Sequence, residues 1–135
     1  MSNELRDKFH GQTIEEHLER VPNELAVDAV GLWQIVSFGR QGFGLSGESL
    51  AAFVRQHLLG LLKRGAKPVI GAQDGIHLWA VVNYGETPEQ IADAVLKEWQ
   101  LSGHDPDPGG IWFALRHIYE ATNRKMESCP SRRLD

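Results

Sequence analysis

Histidines stand at positions 10, 17, 57, 77, 104 and 117, and the only cysteine is Cys129. These are the side chains best suited to hold a metal or move a proton near neutral pH. No two histidines are four residues apart, the spacing that puts a zinc pair on one helix face, and Cys129 has no second thiol beside it. The pattern therefore calls for no metal and no cofactor. His57 falls at the edge of an apolar helical stripe, where a hydrogen-bonded core histidine is the simpler reading.

A glycine-rich segment offers a second kind of chemistry. Gly42-Phe43-Gly44-Leu45-Ser46-Gly47 spells G-x-G-x-x-G at the start of a helix, with Arg40 just before it. In a dinucleotide site such glycines let backbone N–H groups approach a phosphate. That site needs a strand before the glycines, whereas the residues leading to Phe38 have a helical pattern. A turn between helices accounts for the glycines, leaving Arg40, Gly42, Gly44 and Gly47 as a loop that could meet a small anion. His104-Asp105-Pro106-Asp107-Pro108 could offer two carboxylates to a cation, but a stiff turn explains it with fewer ligands to find. No G-x-S-x-G elbow is present, and Ser37, Ser46 and Ser49 have no evident base.

The third candidate is a surface rather than a reaction centre. Tryptophans occur at 33, 79, 99 and 112. In extended segments Trp79 and Trp112 fall on the side opposite the main aliphatic residues, together with His77, Asn83 and Arg116. An aromatic patch with polar neighbours is the composition of a binding surface. If the N-terminal helices cover that side of the sheet, the tryptophans are core instead.

These residues need elements to position them. Residues 1–12 show no period and are expected to fray. Thr13-Ile14-Glu15-Glu16 is a capping box opening a short helix that Pro22 ends. Asn23 then caps a mostly buried helix to about Phe38. A third helix runs from Ser46 or Gly47 to just before Gly65, with Leu50, Phe53, Val54, Leu58, Leu61 and Leu62 as its apolar face. From Lys67 the period becomes two: Pro68 to Gly71 is a strand, Asp74-Gly75 a tight hairpin turn, and Ile76 to Tyr84 the return strand. Thr87-Pro88-Glu89-Gln90 caps a helix bearing Ile91, Ala92, Val95, Leu96 and Trp99. Ile111 to Ile118 is read as the last strand, and 119–135 as a flexible basic tail. The expected fold is α+β: about three helices, then a ββαβ unit with a three-stranded, mainly antiparallel sheet, as one domain over 13–118.

Length and charge limit the functions. A chain of 135 residues buries an adequate core without disulfides, and no apolar run is long enough to cross a bilayer. The lone cysteine suits a reducing compartment, so a cytoplasmic location and no membrane partner are expected. The net charge is −4. Residues 1–30 carry three basic and seven acidic side chains, whereas 116–135 carry five and three. An acidic body repels a phosphate backbone, and only the tail would attract one. A winged-helix reading, with the third helix presenting Arg55, Gln56, Lys63 and Arg64, meets acidic Glu48 and Asp74 where basic contacts belong. The sequence thus leads to a non-enzymatic protein-binding module of accessory, inhibitor-like or immunity type. It would engage another protein or a second copy through His77, Trp79, Asn83, Trp112 and Arg116. A winged-helix DNA binder and an anion binder at the glycine loop are the alternatives.

Overall fold

The structure, a computed structural model, describes residues 5–72 and 76–127. Helix α1 (Ile14–Arg20) opens on the expected capping box: the Thr13 hydroxyl accepts from the Glu16 N–H at 3.1 Å, and the Glu16 carboxylate accepts from the Thr13 N–H at 2.9 Å. Pro22 does not turn the chain away. It sits in the first turn of a 3₁₀ segment, Val21–Ala26, where its missing N–H is not needed. Ahead of α1, where fraying was expected, buried Asp7 gathers the chain by accepting from the N–H groups of Phe9, His10 and Gln12.

The single helix expected over 23–38 is instead four pieces, beginning with the end of the 3₁₀ segment Val21–Ala26. Strand β1 (Val30–Gly31) is followed by α2 (Leu32–Ser37) and a wide π turn, Phe38–Gly42. Tertiary pairing overrides the helical pattern, because Val30 and Gly31 are held antiparallel to Phe113 and Trp112. Gly31 is required there: a Cβ would lie 2.7 Å from the Trp33 ring and 3.2 Å from that of Trp112. Helix α3 (Gly47–Lys63) runs as expected and packs on α4 (Pro88–Ser102). The cap of α4 is formed by Thr87 and Gln90, and Gly103, at φ 77°, ends it in the left-handed region.

The sheet is antiparallel and four-stranded, in the order β1-β4-β2-β3, with β2 at Lys67–Gly71, β3 at Trp79–Val81 and β4 at Trp112–Ala114. The three-stranded expectation is corrected by β1, which joins from the helical half. Strand β3 is also shorter than the expected Ile76–Tyr84. The Ala72 N–H donates to the Leu78 carbonyl at 2.9 Å, which carries the β2–β3 pairing one step past Gly71. The Asp74-Gly75 turn itself lies outside the described residues.

A second correction concerns the C-terminal part. The chain leaves β4 after Ala114 and forms helix α5 (Arg116–Glu127) where a strand end and a loose tail were expected. Leu115, Tyr119 and Asn123 recur at helical spacing. Leu115 meets the main core, Tyr119 packs on the sheet, and Asn123 bonds to β3. Residues 128–135, the remainder of the expected tail with Cys129, lie outside the described residues. Among the described residues no helix is long and apolar enough to cross a membrane.

The two sides of the sheet differ. Val30, Phe113 and Ile70 face the main core, which includes Leu50, Phe53, Leu58 and Leu61 of α3 and Val95 of α4. Val69 and Ala114 face the other way, into a small cluster completed by Ala29, Trp79, Trp112 and Tyr119.

Candidate functional site

The strand pairing places Trp79 and Trp112 diagonally across β2, because Gly71 faces Trp79 while Val69 faces both Trp112 and Val81. Their rings lie 5.8 Å apart, and Trp33 adds an edge-on contact to Trp112 at 6.5 Å. Trp112 donates its indole N–H to the Pro108 carbonyl at 2.9 Å. The N-terminal helices cover the opposite side of the sheet, and α5 covers this one in part. Trp79 and Trp112 are accordingly half-buried, between the exposed patch and the core that the sequence allowed.

Of the other three residues of the expected surface, Asn83 and Arg116 bond elsewhere. Asn83 lies beyond the end of β3 and accepts from the Gly85 N–H. Arg116 is at the start of α5, largely exposed and paired with Glu120 at 2.9 Å. His77 is half-buried in the loop before β3. Sequence reasoning missed Trp33, Tyr119 and Asn123. The i, i+4, i+8 spacing of Leu115, Tyr119 and Asn123 was the signal for the last two.

Asn123 is central to this edge. Its amide oxygen accepts from the N–H groups of Leu78 and Trp79, each at 3.0 Å, and its NH₂ donates to the Trp79 carbonyl at 3.0 Å. The Leu78 carbonyl and the Val82 N–H are directed toward β2, as their bonds to Ala72 and Pro68 show, while the Leu78 N–H turns to Asn123. The alternate residues, Trp79 and Val81, therefore point theirs outward. Asn123 satisfies Trp79, and no described group bonds the outward N–H or C=O of Val81. Around this free edge the apolar side chains of Ile76, Leu78 and Val81 are 53%, 40% and 51% exposed.

The glycine loop has a different outcome. Arg40 is tied to Asp105 by two hydrogen bonds, of 2.6 and 3.0 Å, across 65 residues of sequence. The Arg40 guanidinium holds the Asp105 carboxyl below its usual range. Gly42 is buried in the π turn, while Gly44 and Gly47 adopt positive φ on the surface. Together with Glu48, Trp99 and His104, this pair borders an open cleft of about 440 Å³. With Arg40 neutralised by Asp105 and Glu48 at the rim, the cleft lacks the surplus positive charge that an anion site needs. The basic side chains of α3 are likewise engaged: Arg55 pairs with Asp93 at 2.8 Å and Lys63 with Glu89 at 4.0 Å, both on α4. An α3 packed along α4 in this way is poorly placed to enter a DNA groove.

One buried titratable pair remains. The His57 Nδ1–H donates to the Phe53 carbonyl at 2.8 Å, which leaves His57 Nε2 to accept from the Nδ1–H of His17 at 2.7 Å. Burial pushes both rings down to about 4, so both are neutral at pH 7. His17 is stacked on Phe38, and His57 fulfils the structural role expected of it. No group of three or more potential metal ligands occurs among the described residues. The chain matches no family model, no curated protein and no solved structure.

Proposed function

We propose that this protein is a protein-binding module that works through the β3 edge and the tryptophan-bearing side of the sheet. The observation carrying this reading is the exposure of Ile76, Leu78 and Val81 beside the β3 edge, where the outward N–H and C=O of Val81 have no partner among the described residues. Leaving such a row in water is costly to solubility and invites pairing with another chain, so it is ordinarily covered, charged or used. Trp79 beside it adds aromatic area of the kind that dominates interface energies.

The test compares proteins retained from host lysate by the wild-type chain, by Leu78→Asp and by Val81→Asp, with Leu101→Asp on α4 as control. Leu101 is 76% exposed and distant in sequence from this edge. A specific protein retained by wild type and by the Leu101 variant, and lost with both β3 variants, is the expected outcome. Equal retention by all four chains would refute the reading.

A further inference from the structure

The His17–His57 pair leaves one ring nitrogen unaccounted for. The His57 Nδ1–H goes to the Phe53 carbonyl and the His17 Nδ1–H to His57 Nε2, so His17 Nε2 carries a lone pair and no hydrogen. Burial keeps this ring uncharged at pH 7, which makes Nε2 an acceptor only. No described group donates to it. His17 is only 3% exposed, yet among the described residues Trp33 Nε1 is the one sealed-in side-chain nitrogen or oxygen without a partner. His17 Nε2 is therefore not sealed in.

The opening is a cavity of about 180 Å³ lined by His17, Arg20, Val21, Val30, Gln34 and Phe38. One face of the His17 ring is stacked on Phe38 at 3.9 Å and the Nδ1 edge is taken by His57. The edge bearing Nε2 is what remains for the cavity. Arg20 is engaged by Gln12 and Glu24, at 3.1 and 3.3 Å, so the mouth holds a closed ion pair rather than a free charge. The Gln34 amide oxygen accepts from the Gly31 N–H at 2.8 Å, and its NH₂ has no partner among the described residues. Val21 and Val30 are buried and supply apolar wall.

We infer that this cavity binds a small neutral hydroxyl compound with a flat apolar body, of the phenol class, whose O–H donates to His17 Nε2. The same oxygen accepts from the Gln34 NH₂, and the ring lies against Val21, Val30 and Phe38. A hydroxyl supplies the missing donor, while the ring takes the apolar wall out of water, which a water molecule in its place would leave wet. A charged ligand would meet no free counter-charge, because Arg20 and Glu24 neutralise each other. The cavity is smaller than the roughly 300–1,000 Å³ of drug-sized sites and suits a single ring. It lies beside β1, at the opposite edge of the sheet from β3, so its occupant is independent of a partner bound there.

The probes are phenol and anisole, which share the ring and differ in whether the oxygen carries a hydrogen. Binding to the full chain at pH 7 is followed by the nitrogen-15 resonances of the His17 ring. In the free protein Nδ1 should appear protonated and Nε2 unprotonated. Phenol should bind saturably and at least about tenfold more tightly than anisole. It should move the Nε2 resonance upfield, and anisole should leave it in place. His17→Phe keeps an aromatic ring without the acceptor and should abolish the preference for phenol. The comparison in the wild-type chain stands whether or not that variant folds.

Equal affinity for phenol and anisole, or phenol binding that leaves the His17 Nε2 resonance unmoved, overturns the inference. So does an Nε2 found protonated in the free protein, or a preference for phenol that survives in a folded His17→Phe variant. Absence of saturable phenol binding overturns it too, and would leave the cavity to water alone.

Discussion

Phe113 and Trp112 are neighbours in β4 and point to opposite sides of the sheet. Phe113 is fully buried among residues from α2, α3 and α4, while Trp112 is half-buried against two other tryptophans and one tyrosine. The indole Nε1 of Trp33, within the same group, is buried without a hydrogen-bond partner among the described residues. A buried donor left unsatisfied costs about 1–3 kcal/mol. One side of the sheet is therefore packed for stability. The other tolerates an unsatisfied donor, keeps large aromatic area near water, and is covered in part by α5. A surface with those properties is the one proposed above to contact another protein.

The largest effect that would sharpen this contrast comes from truncating each neighbour. Phe113→Ala should cost about 3–5 kcal/mol, the range for a large aromatic lost from a closed core. Trp112→Ala should cost about half as much, because the ring is already half in water and its surroundings can collapse. Urea unfolding midpoints measure both, and equal losses would mean that the two sides are packed alike.

A second contrast is in pH dependence. The His17–His57 pair belongs to the closed side, and both rings have folded values of about 4 against an ordinary 6.5. Between those values the unfolded chain binds more protons than the folded one. The pair's contribution is complete above pH 6.5 and is lost as pH falls through 4, with a slope of up to about 1.4 kcal/mol per pH unit for each ring. Denaturant midpoints should fall steeply between pH 6.5 and 4. In the double variant His17→Phe/His57→Leu, which removes both titrating rings, this part of the slope should vanish.

The smallest effect is expected at the edge. Asn123→Ala frees the outward groups of Trp79 to bond water, and should cost about 1 kcal/mol, the net value of hydrogen bonds at an accessible site. A loss of several kcal/mol would mean that Asn123 holds α5 onto the sheet and that the edge is part of the closed structure.

How much of this was legible in the sequence depends on whether the signal was local. The boxes at Thr13–Glu16 and Thr87–Gln90, the apolar stripe of α3 and the α+β class all rest on neighbouring residues, and all appear in the structure. Strand β1 was not legible, because Val30 and Gly31 are extended only through partners more than 80 residues away. Helix α5 was misread because Ile111, Phe113 and Leu115 alternate, and that alternation concealed the helical spacing that begins at Leu115. At the candidate site, Trp79 and Trp112 were found from their phase in the strands. The helical spacing from Leu115 could have placed Asn123 on the face of Tyr119, but its bonds to a strand edge appear only in three dimensions. The tie between Arg40 and Asp105, which occupies the glycine loop's only nearby cation from the expected set, was equally non-local.

Among the described residues β3 presents an open edge at Val81, and adjacent amides in the free protein test this directly. Val82 donates its N–H to the Pro68 carbonyl at 2.9 Å, whereas the N–H of Val81 points outward. Residue-resolved hydrogen exchange should show Val81 exchanging at least about a hundredfold faster than Val82, because only the latter must break a sheet bond to exchange. Equal protection of the two in the isolated protein would mean that the edge is already covered, and would contradict the account.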